Sequence, residues 1–362
     1  MKIASLLSIF FISLSAEIVV NLPYGACTIE DPIVESIILS PPYQRLHGIN
    51  QYGISFFNHV KDDYKRFDHC VGVYWLLKKA DAPYLEQVSG LLHDASHTAF
   101  SHFGDYFFSS HGQDSWQDIH HNEFLEKIGL KELIEKNGLK LHEIYHKNKH
   151  FTALDKPLPD LCADRLEYNL QGAYKHGLIT HEELLALFED VKYQDSVWSF
   201  SKIELAQKLS LSSIFMMENI WSCPTSHLSN LVLCKIVAEA VSKNILNLDM
   251  VMFQKDEDIW QTLLSTDDAY IQKGINLLSK LKDYVIDGKR YSYSYKCRAI
   301  DPYIRTDEGL KRLTDVSNSY KEAFKKAQLK ASTGFFFDIC DEALGDYSPY
   351  LSDLQDLEIR AQ

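Results

Sequence analysis

The chain has 362 residues, of which 46% are hydrophobic and 24% are charged, so it has the composition of a globular protein with ample material for a core. Its formal net charge of -13 argues against a broad nucleic-acid-binding surface, although it leaves room for a local basic pocket around one phosphorylated ligand. The seven cysteines are scattered and form no CxxC pair, which indicates small buried side chains rather than a disulfide framework or a zinc cage.

The first sixteen residues, MKIASLLSIFFISLSA, combine one lysine, an apolar run and two small residues. This is the outline of a secretory signal peptide, and the run is too short to span a bilayer comfortably. Leu14, however, stands where a small residue is preferred before the cleavage point, so an apolar leader or a misplaced start codon is an equal alternative. Export follows from the first interpretation, and the second is compatible with a cytoplasmic protein.

The next segment predicts a short strand pair around the Pro-Tyr-Gly turn at residues 23–25, after which helical periodicity dominates. Predicted helices follow in HCVGVYWLLKKA, APYLEQVSGLLHDASH, HHNEFLEKIGLKELIEKNG, LPDLCADRLEYNLQGAYKHG, THEELLALFEDV, the long segment 201–247 and the stretch toward residue 286. Alternation in GKRYSYSYKCRAID favours a late strand pair. The predicted fold class is therefore mostly α, with small β-hairpin additions at the N-terminus and late in the chain.

The stretch GLLHDASHTAFSHFGD, residues 90–105, places His-Asp at the end of an apolar run, where burying charge is costly. Ordinary core histidines and hydrogen-bonded His-Asp pairs are one explanation. A metal is the other, because neutral imidazole and carboxylate are both metal ligands. Two further helices offer candidates: His69 begins an apolar helix, and Asp164 lies among apolar neighbours and needs a partner. The prediction depends on the combination of His69, His93, Asp94 and Asp164, because a single helical histidine is more often structural.

The order His…His-Asp…Asp resembles the ligand signature of the HD superfamily of metal-dependent phosphohydrolases. The blocks PPYQRLHGINQYG, RFDHCVGV, LLHDASHTAFSHFGD and ADRLEY occur in order, and each is similar to a block of the deoxynucleoside triphosphate (dNTP) triphosphohydrolases and their bacterial relatives. NLPYG and RAIDPYI also look related. The resemblance covers residues 17–177 well and the helical remainder loosely.

This resemblance implies an HD-domain helical bundle as the catalytic core, at residues 17–180, with a helical C-terminal region, 181–362, packed on it. It also implies a homo-oligomer assembled through helices outside the metal core. The apolar stretch HLSNLVLCKIVAEAV is a candidate for such a surface, although an ordinary core helix is the favoured interpretation.

Two imidazoles and two carboxylates suit one divalent ion (Mn, Fe, Ni, Zn or Mg) and leave open positions for water and a phosphate oxygen. The resemblance implies that His97 acts on the leaving group with Asp105 as its acidic partner, and that a further histidine assists. His121 is our choice by its spacing to apolar neighbours, with His120 a close second. Imidazole suits a general acid because its pKa lies near working pH.

Further residues are expected to bind the substrate, a nucleotide or another phosphate ester. Arg66 offers a forked donor for phosphate oxygens, with a surface arginine as the alternative. By resemblance, Gln51 and Tyr168 contact the sugar and Arg165 the phosphate. His102 matches a family position near the base or sugar, or it is structural.

Departures from the family pattern bear on the substrate. Gln171 and Gly172 stand where the family commonly has Arg-Asp, and ASH replaces the usual small-glycine step before His97. SSIFMMENIWSCPTSHLSN lacks the usual arginine and histidine and contains Pro224. The first functional prediction is hydrolysis of dNTPs to nucleoside and triphosphate. The alternatives are hydrolysis of another phosphate ester, such as a monophosphate or cyclic nucleotide, and nucleotide binding without turnover.

Overall fold

The computed structural model describes residues 17–58, 60, 63–108 and 115–357. The predicted signal peptide or leader, residues 1–16, lies outside these residues. Within them, no helix combines the length and the apolar character that crossing a membrane requires.

An antiparallel hairpin opens the described chain, as the sequence predicts. It consists of β1 (Ile18–Leu22) and β2 (Gly25–Ile29), with Leu22 opposite Gly25 across a two-residue turn. Gly25 has a φ of +141°, and a Cβ on it would lie 2.9 Å from the indole of Trp75. The turn therefore needs glycine, both for its backbone conformation and for close contact with the helix beneath it.

Helices follow in a nearly unbroken series. They are α1 (Pro32–Ile38), α2 (Pro41–Gln44), α3 (Ser55–Asn58), α4 (Arg66–Lys79), α5 (Tyr84–Leu92), α6 (Phe103–Phe107), α7 (Trp116–Lys127), α8 (Leu130–Lys136), α9 (Ala163–Lys175) and α10 (His181–Asp190). One helix predicted as continuous is divided into α7 and α8, because Gly129 has a φ of +82° and reverses the chain between them.

The second half adds small sheets to further helices. Its elements are β3 (Lys192–Gln194), β4 (Val197–Phe200), α11 (Ile203–Met216), a π-helical turn (Met217–Trp221), α12 (Pro224–Ser242), α13 (Leu248–Phe253), α14 (Asp256–Ser265), α15 (Ala269–Tyr284), β5 (Val285–Tyr293), β6 (Tyr303–Thr306), β7 (Gly309–Arg312), α16 (Leu313–Val316), α17 (Asn318–Thr333), β8 (Phe335–Ile339) and α18 (Asp341–Asp346). The mostly α fold class with small β additions is confirmed.

The late strands pair differently from the prediction. β5 pairs antiparallel with β8, about forty residues further along the chain, and not within GKRYSYSYKCRAID. Aromatic residues face each other across this ladder, with Tyr291 opposite Phe337 and Tyr293 opposite Phe335. Such cross-strand aromatic pairs stabilise the distant pairing. The late hairpin is instead β6–β7, which joins β3 and β4 in a sheet of order β3-β4-β6-β7.

The first of two hydrophobic clusters surrounds α4, which is buried along most of its length. A helix that is apolar nearly all round must lie inside the protein. It packs against both α5 and α9. His69 stands on α4, His93 and Asp94 follow α5, and Asp164 begins α9. The arrangement of these three helices therefore determines whether the predicted ligands meet.

The second cluster is built on α12, α14 and α15. The stretch HLSNLVLCKIVAEAV lies in α12, where Leu228, Val232, Leu233 and Ile236 are buried in this cluster. It is therefore a core helix, and the homo-oligomer stays a prediction without a surface assigned to it.

Asp256, at the start of α14, connects this helix through hydrogen bonds to two segments from the first half of the chain. Its Oδ2 accepts from the backbone N and the Nδ2 of Asn50, both at 2.8 Å, and its Oδ1 accepts from the backbone N of Phe100 at 2.6 Å. The side chain is fully buried. These bonds hold the segments before α3 and α6 against α14.

We expect Asp256→Ala to lower the free energy of unfolding by about 3 kcal/mol or more, because three buried donors would lose their charged acceptor. Chemical denaturation measures the change. Glu257→Ala, at the exposed neighbouring position, is the control and should change stability by less than about 0.5 kcal/mol. Equal effects of the two substitutions would contradict a structural role for Asp256.

Candidate metal centre and its cavity

The side chains of the four predicted ligands lie close together around Nε2 of His69. Nε2 of His69 lies 3.2 Å from Nε2 of His93, 3.5 Å from Oδ2 of Asp94 and 3.1 Å from Oδ1 of Asp164. Nε2 of His93 lies 3.6 Å from the same two carboxylate oxygens. His69, His93 and Asp94 form a buried cluster suited to a metal ion, and the side chain of Asp164 is 35% exposed toward the cavity.

These separations fit a shared cation. Ligand atoms about 2.0–2.2 Å from one ion are roughly 3.0–3.6 Å apart when they subtend octahedral or tetrahedral angles. Two nitrogen and two oxygen donors are a set that divalent transition metals accept. The donor set and its spacing therefore fit a divalent metal, whose identity they leave open.

Hydrogen bonds at the far ring nitrogens direct both imidazoles. Nδ1 of His69 lies 2.6 Å from Oε2 of Glu167, and Nδ1 of His93 lies 2.7 Å from the carbonyl oxygen of Gly90. Because both partners are acceptors, each Nδ1 carries a proton and each Nε2 faces the cluster. Once a cation displaces the proton on Nε2, each ring is in the tautomer that a metal ligand requires.

Glu167 is a fully buried carboxylate that sequence reasoning missed. Its Oε1 accepts from the Tyr24 hydroxyl at 2.8 Å and from Nε2 of Gln171 at 2.6 Å, and its Oε2 accepts from the Tyr64 hydroxyl. Its place in ADRLEY, three residues after Asp164 on α9, is the signal that could have revealed it, because residues at this spacing share a helix face.

The ionisable groups stabilise one another. Burial opposes the charged form of His69, yet Asp164 and Glu167 raise its pKa to about 10. Burial alone would raise the pKa of Asp94, but Arg66 and the neighbouring histidines hold it well below its usual range. The carboxylates are therefore ionised, which is the form that binds cations.

The cluster opens into a cavity of about 840 Å³. The volume is within the range of roughly 300–1,000 Å³ that is typical of small-molecule sites. Its wall is rich in cations although the whole chain is acidic: Arg66, Lys147, Lys149, Lys156, Arg165, Lys296 and Arg298. Burial first, and then Arg298 and Arg165, lower the pKa of Lys296, which reflects mutual repulsion among these cations. An anionic ligand would relieve that repulsion.

Arg66 lies buried beside the cluster. Its Nη1 donates to Oδ2 of Asp94 and its Nε donates to the Ser101 hydroxyl at 3.0 Å. Its buried Nη2 has no acceptor in the described part of the chain. A surface arginine, the alternative for this residue, is wrong, because only 3% of Arg66 is exposed.

Asp105 contacts His102 rather than His97. Oδ2 of Asp105 lies 3.0 Å from Nδ1 of His102, and its Oδ1 accepts from the backbone N of Trp116 at 2.7 Å. His97 instead lies 3.2 Å from Oδ1 of Asp94, and its pKa is lowered to about 4, first by burial and then by Arg66. The imidazole within hydrogen-bonding distance of Asp105 is therefore that of His102, three residues earlier, and the joint role of His97 and Asp105 stays a prediction.

Neither candidate for the third catalytic histidine lines the cavity. His121 is buried against the Ser96 hydroxyl at 2.7 Å, and His120 is half exposed beside Glu123. A different histidine, His146, forms part of the wall, with its Nε2 2.9 Å from Oδ1 of Asp118. It comes from an irregular segment after α8, where no periodic pattern could indicate its position.

The remaining residues that are predicted to bind the substrate all line the cavity. Gln51 and Tyr168 line it, and their Oε1 and hydroxyl are buried without hydrogen-bond partners among the residues described. Arg165 also lines it, but its guanidinium donates to the carbonyl oxygens of Asp160 and Lys156.

Gln171 and Gly172, the two positions on α9 that depart from the family pattern, do not line the cavity. Gln171 is buried and bonds Glu167, and Gly172 faces Met216 and Tyr52. These two positions of the helix therefore provide no carboxylate that could bind a sugar.

Comparison with known proteins yields relatives but no matching family model. The uncharacterized protein YdhJ of Bacillus subtilis is 27% identical over 313 residues, which cover 85% of this chain and 95% of that protein. The metal-dependent phosphohydrolase cns2 of Cordyceps militaris is 27% identical over 287 residues, which cover 77% and 82%.

Among solved structures, a phosphohydrolase of Bacteroides thetaiotaomicron matches with a TM-score of 0.65 at 16% identity, over 89% of this chain and 99% of that one. A hypothetical protein of Aquifex aeolicus matches with a TM-score of 0.60 at 14% identity, over 94% and 100%. The structural likeness shows a shared fold. Together with the buried His-His-Asp cluster, the name of the Cordyceps militaris relative supports a metal-dependent phosphohydrolase of the HD type. The deoxynucleoside triphosphatase branch is not distinguished by these matches.

We expect Glu167→Gln to weaken metal binding roughly 10- to 100-fold, because an amide that donates to Nδ1 of His69 would move the ring proton to Nε2. Calorimetric titration of metal-free protein with Zn²⁺ or Mn²⁺ measures the effect. Tyr24→Phe is the control: it removes one hydrogen bond to Glu167 but leaves the contact between Glu167 and His69. It should weaken metal binding only a few-fold. Unchanged affinity in Glu167→Gln would show that Glu167 does not orient the ligand.

Proposed function

We propose that the protein is a metal-dependent phosphohydrolase that cleaves dNTPs to nucleoside and triphosphate. The observation that carries the proposal is the convergence of His69, His93, Asp94 and Asp164 at the base of a cavity whose wall is rich in lysine and arginine. A metal held by these four residues would supply a Lewis acid for phosphoryl transfer. The name of the Cordyceps militaris relative supports the metal-dependent phosphohydrolase activity.

The cationic wall would hold the phosphate chain. Arg66 bonds the cluster directly through Asp94. Its buried Nη2 is free to donate a hydrogen bond to a phosphate oxygen. Lys147, Lys156 and Arg298 contribute charge further from the cluster. Because phosphoryl transfer needs mainly positioning and electrostatic stabilisation, these residues would orient the phosphates and neutralise developing charge.

His102 is the histidine whose contacts best suit a proton donor to the leaving oxygen. Its ring is about half exposed and lines the cavity, and Asp105 contacts the ring at Nδ1. Burial opposes ionisation of Asp105, but the bonds from His102 and Trp116 lower its pKa, so the carboxylate stays charged. A carboxylate that orients an imidazole is the arrangement used for general acid–base catalysis.

His97 would then serve a different purpose. With a pKa of about 4 it is neutral near pH 7, and within the cavity wall it contacts Asp94. A neutral ring here is suited to fixing the carboxylate of Asp94. Gln51 and Tyr168, with buried polar atoms at the cavity wall, would contact the sugar.

A phosphate monoester is the second candidate substrate. It is favoured by the change at residues 171–172, where the triphosphohydrolases commonly have Arg-Asp. Here Gln171 bonds Glu167, so no carboxylate from these two positions binds the sugar. A smaller substrate would need fewer contacts at the sugar.

Metal removal and reloading test the proposal. Chelated protein should be inactive, and Mn²⁺ or another divalent ion should restore activity. Asp164→Ala should lower kcat/KM at least about 100-fold, because a metal contributes several kcal/mol to the transition state. Asp160→Asn, at a neighbouring carboxylate that pairs with Arg312 outside the cavity wall, is the control and should retain activity.

The products distinguish the candidates. Each dNTP and each deoxynucleoside monophosphate is incubated with metal-loaded protein, and the phosphate products are separated by ion exchange. Inorganic triphosphate supports the first candidate, and orthophosphate from monophosphates alone supports the second. Stoichiometric metal without any hydrolysis would overturn both and favour nucleotide binding without turnover.

Substitutions of paired histidines test the proton donor. His102→Ala should lower kcat about 10²- to 10⁴-fold, because a positioned general acid contributes this much. Asp105→Asn should lower it less, because the imidazole remains. His120→Ala is the matched control, since His120 also pairs with a carboxylate three residues later but lies outside the cavity. Wild-type kcat in His102→Ala would remove His102 from the mechanism.

A further inference from the structure

A second cavity of about 320 Å³ adjoins the first and shares part of its wall, including Gln51, Arg66 and Tyr168. The two differ in their chemistry. Among the described residues, every charged residue of the second cavity belongs to the shared wall. The twelve residues that line only the second cavity are uncharged, and five of them are aromatic. We call this part the aromatic lobe, and it includes Tyr52, Tyr64, Phe100, Tyr106, Trp221 and Asn230.

Trp221 reaches the lobe through a local irregularity of the backbone. Residues Met217–Trp221 form a π-helical turn between α11 and α12, and Pro224 begins α12 three residues later. A π-helical turn rotates the following side chains relative to an α-helix, and such turns occur frequently at functional sites. The hydroxyl of Tyr293 donates to the carbonyl oxygen of Ser222 and holds the end of this turn.

The rings of Trp221 and Tyr168 form a corner. Their centroids are 5.3 Å apart and their planes meet at 87°. A planar group placed in such a corner can stack on one ring while its edge meets the other. Tyr168 also lines the metal cavity, so the corner lies directly beside the shared wall.

Polar atoms in the lobe have unused hydrogen-bonding capacity. Nδ2 of Asn230 donates to the carbonyl oxygen of Ser226 at 2.9 Å, so the Oδ1 of this amide is the atom that can accept from a ligand. Oε1 of Gln51 and the hydroxyl of Tyr168 are buried at the shared wall and lack hydrogen-bond partners among the described residues. A ligand that donates N–H or O–H groups would satisfy these atoms.

We infer that the aromatic lobe binds the base of a nucleotide, stacked on Trp221 with an N–H edge donated to Asn230, while the phosphates stay at the cationic metal cavity. The inference rests on the proposed function for the placement of the phosphates. An uncharged aromatic wall suits a heterocycle and not a phosphate, and a volume of 320 Å³ lies at the lower end of ligand pockets. Base–aromatic stacking recurs in nucleotide recognition because every base has a π-face.

Binding of nucleosides that carry no phosphate tests the lobe independently of hydrolysis. Metal-free protein is titrated with deoxyadenosine, deoxyguanosine, deoxycytidine and thymidine, with calorimetry for affinity and tryptophan fluorescence for quenching. We expect at least one nucleoside to bind and to quench fluorescence. Trp221→Ala should weaken that binding about tenfold, because stacking contributes about 1–3 kcal/mol per base.

Conservative variants separate a direct contact from a folding defect. Trp221→Phe keeps a stacking ring, so it should bind within about threefold of wild type while losing most of the quenching. Asn230→Ala should weaken binding several-fold for bases with N–H donors, and Asn230→Asp, which keeps an acceptor, should weaken it less. Trp260→Phe is the control: Trp260 packs against Phe57 and is not part of the lobe wall, so quenching should persist.

Two results would overturn the inference. One is unchanged nucleoside affinity in both Trp221→Ala and Asn230→Ala, and the other is no nucleoside binding by wild-type protein at millimolar concentration. Kinetics distinguish this failure from failure of the proposed function. In Trp221→Ala, KM should rise for a nucleotide substrate and stay unchanged for glycerol phosphate or deoxyribose 5-phosphate, which lack a base. Hydrolysis with an unchanged KM for every ester would remove the lobe's role and leave the phosphohydrolase intact.

Discussion

The hydrogen bond between Glu167 and His69 is the interaction on which the centre depends. It lies between α9 and α4, in the middle of the first core, and neither side chain is accessible to solvent. A carboxylate buried at such depth is tolerated only when its oxygens are satisfied, and Tyr24, Tyr64 and Gln171 complete the set. The N-terminal hairpin supplies Tyr24, so an element far from the cavity contributes to the orientation of a metal-binding ring.

The site separates negative and positive charge over a short distance. Carboxylates and imidazoles converge on one side, as a cation requires. Along the rest of the cavity wall, seven lysines and arginines outnumber the three carboxylates of Asp105, Asp118 and Asp155, as a phosphate requires. Arg66 stands between the two groups and bonds Asp94 directly. The strongly acidic whole-chain charge conceals this local basic wall, because the surplus acidic residues lie elsewhere on the molecule.

Local patterns in the sequence were sufficient for the helical architecture and for the residues that the structure brings together around the candidate metal. His69, His93, Asp94 and Asp164 each stand near the end of a predicted helix among apolar neighbours, which made them candidates. Their order along the chain, which resembles the HD signature, was needed to combine them into one site. Contacts between distant segments could not be found in this way. Residues 285–293 pair with a strand about forty residues away, and His146 enters the cavity from an irregular segment. The contact of His102 with Asp105 could not be predicted either, because it depends on where the chain turns before α6.

Arg165 has a mechanical consequence for the rest of the site. It follows Asp164 directly, and its guanidinium binds the carbonyl oxygens of Lys156 and Asp160. These hydrogen bonds connect the first turn of α9 to the segment that carries Lys156, a residue of the cavity wall. A displacement of that segment would therefore pull on the residue next to Asp164, so this part of the basic wall and the candidate metal centre are mechanically coupled.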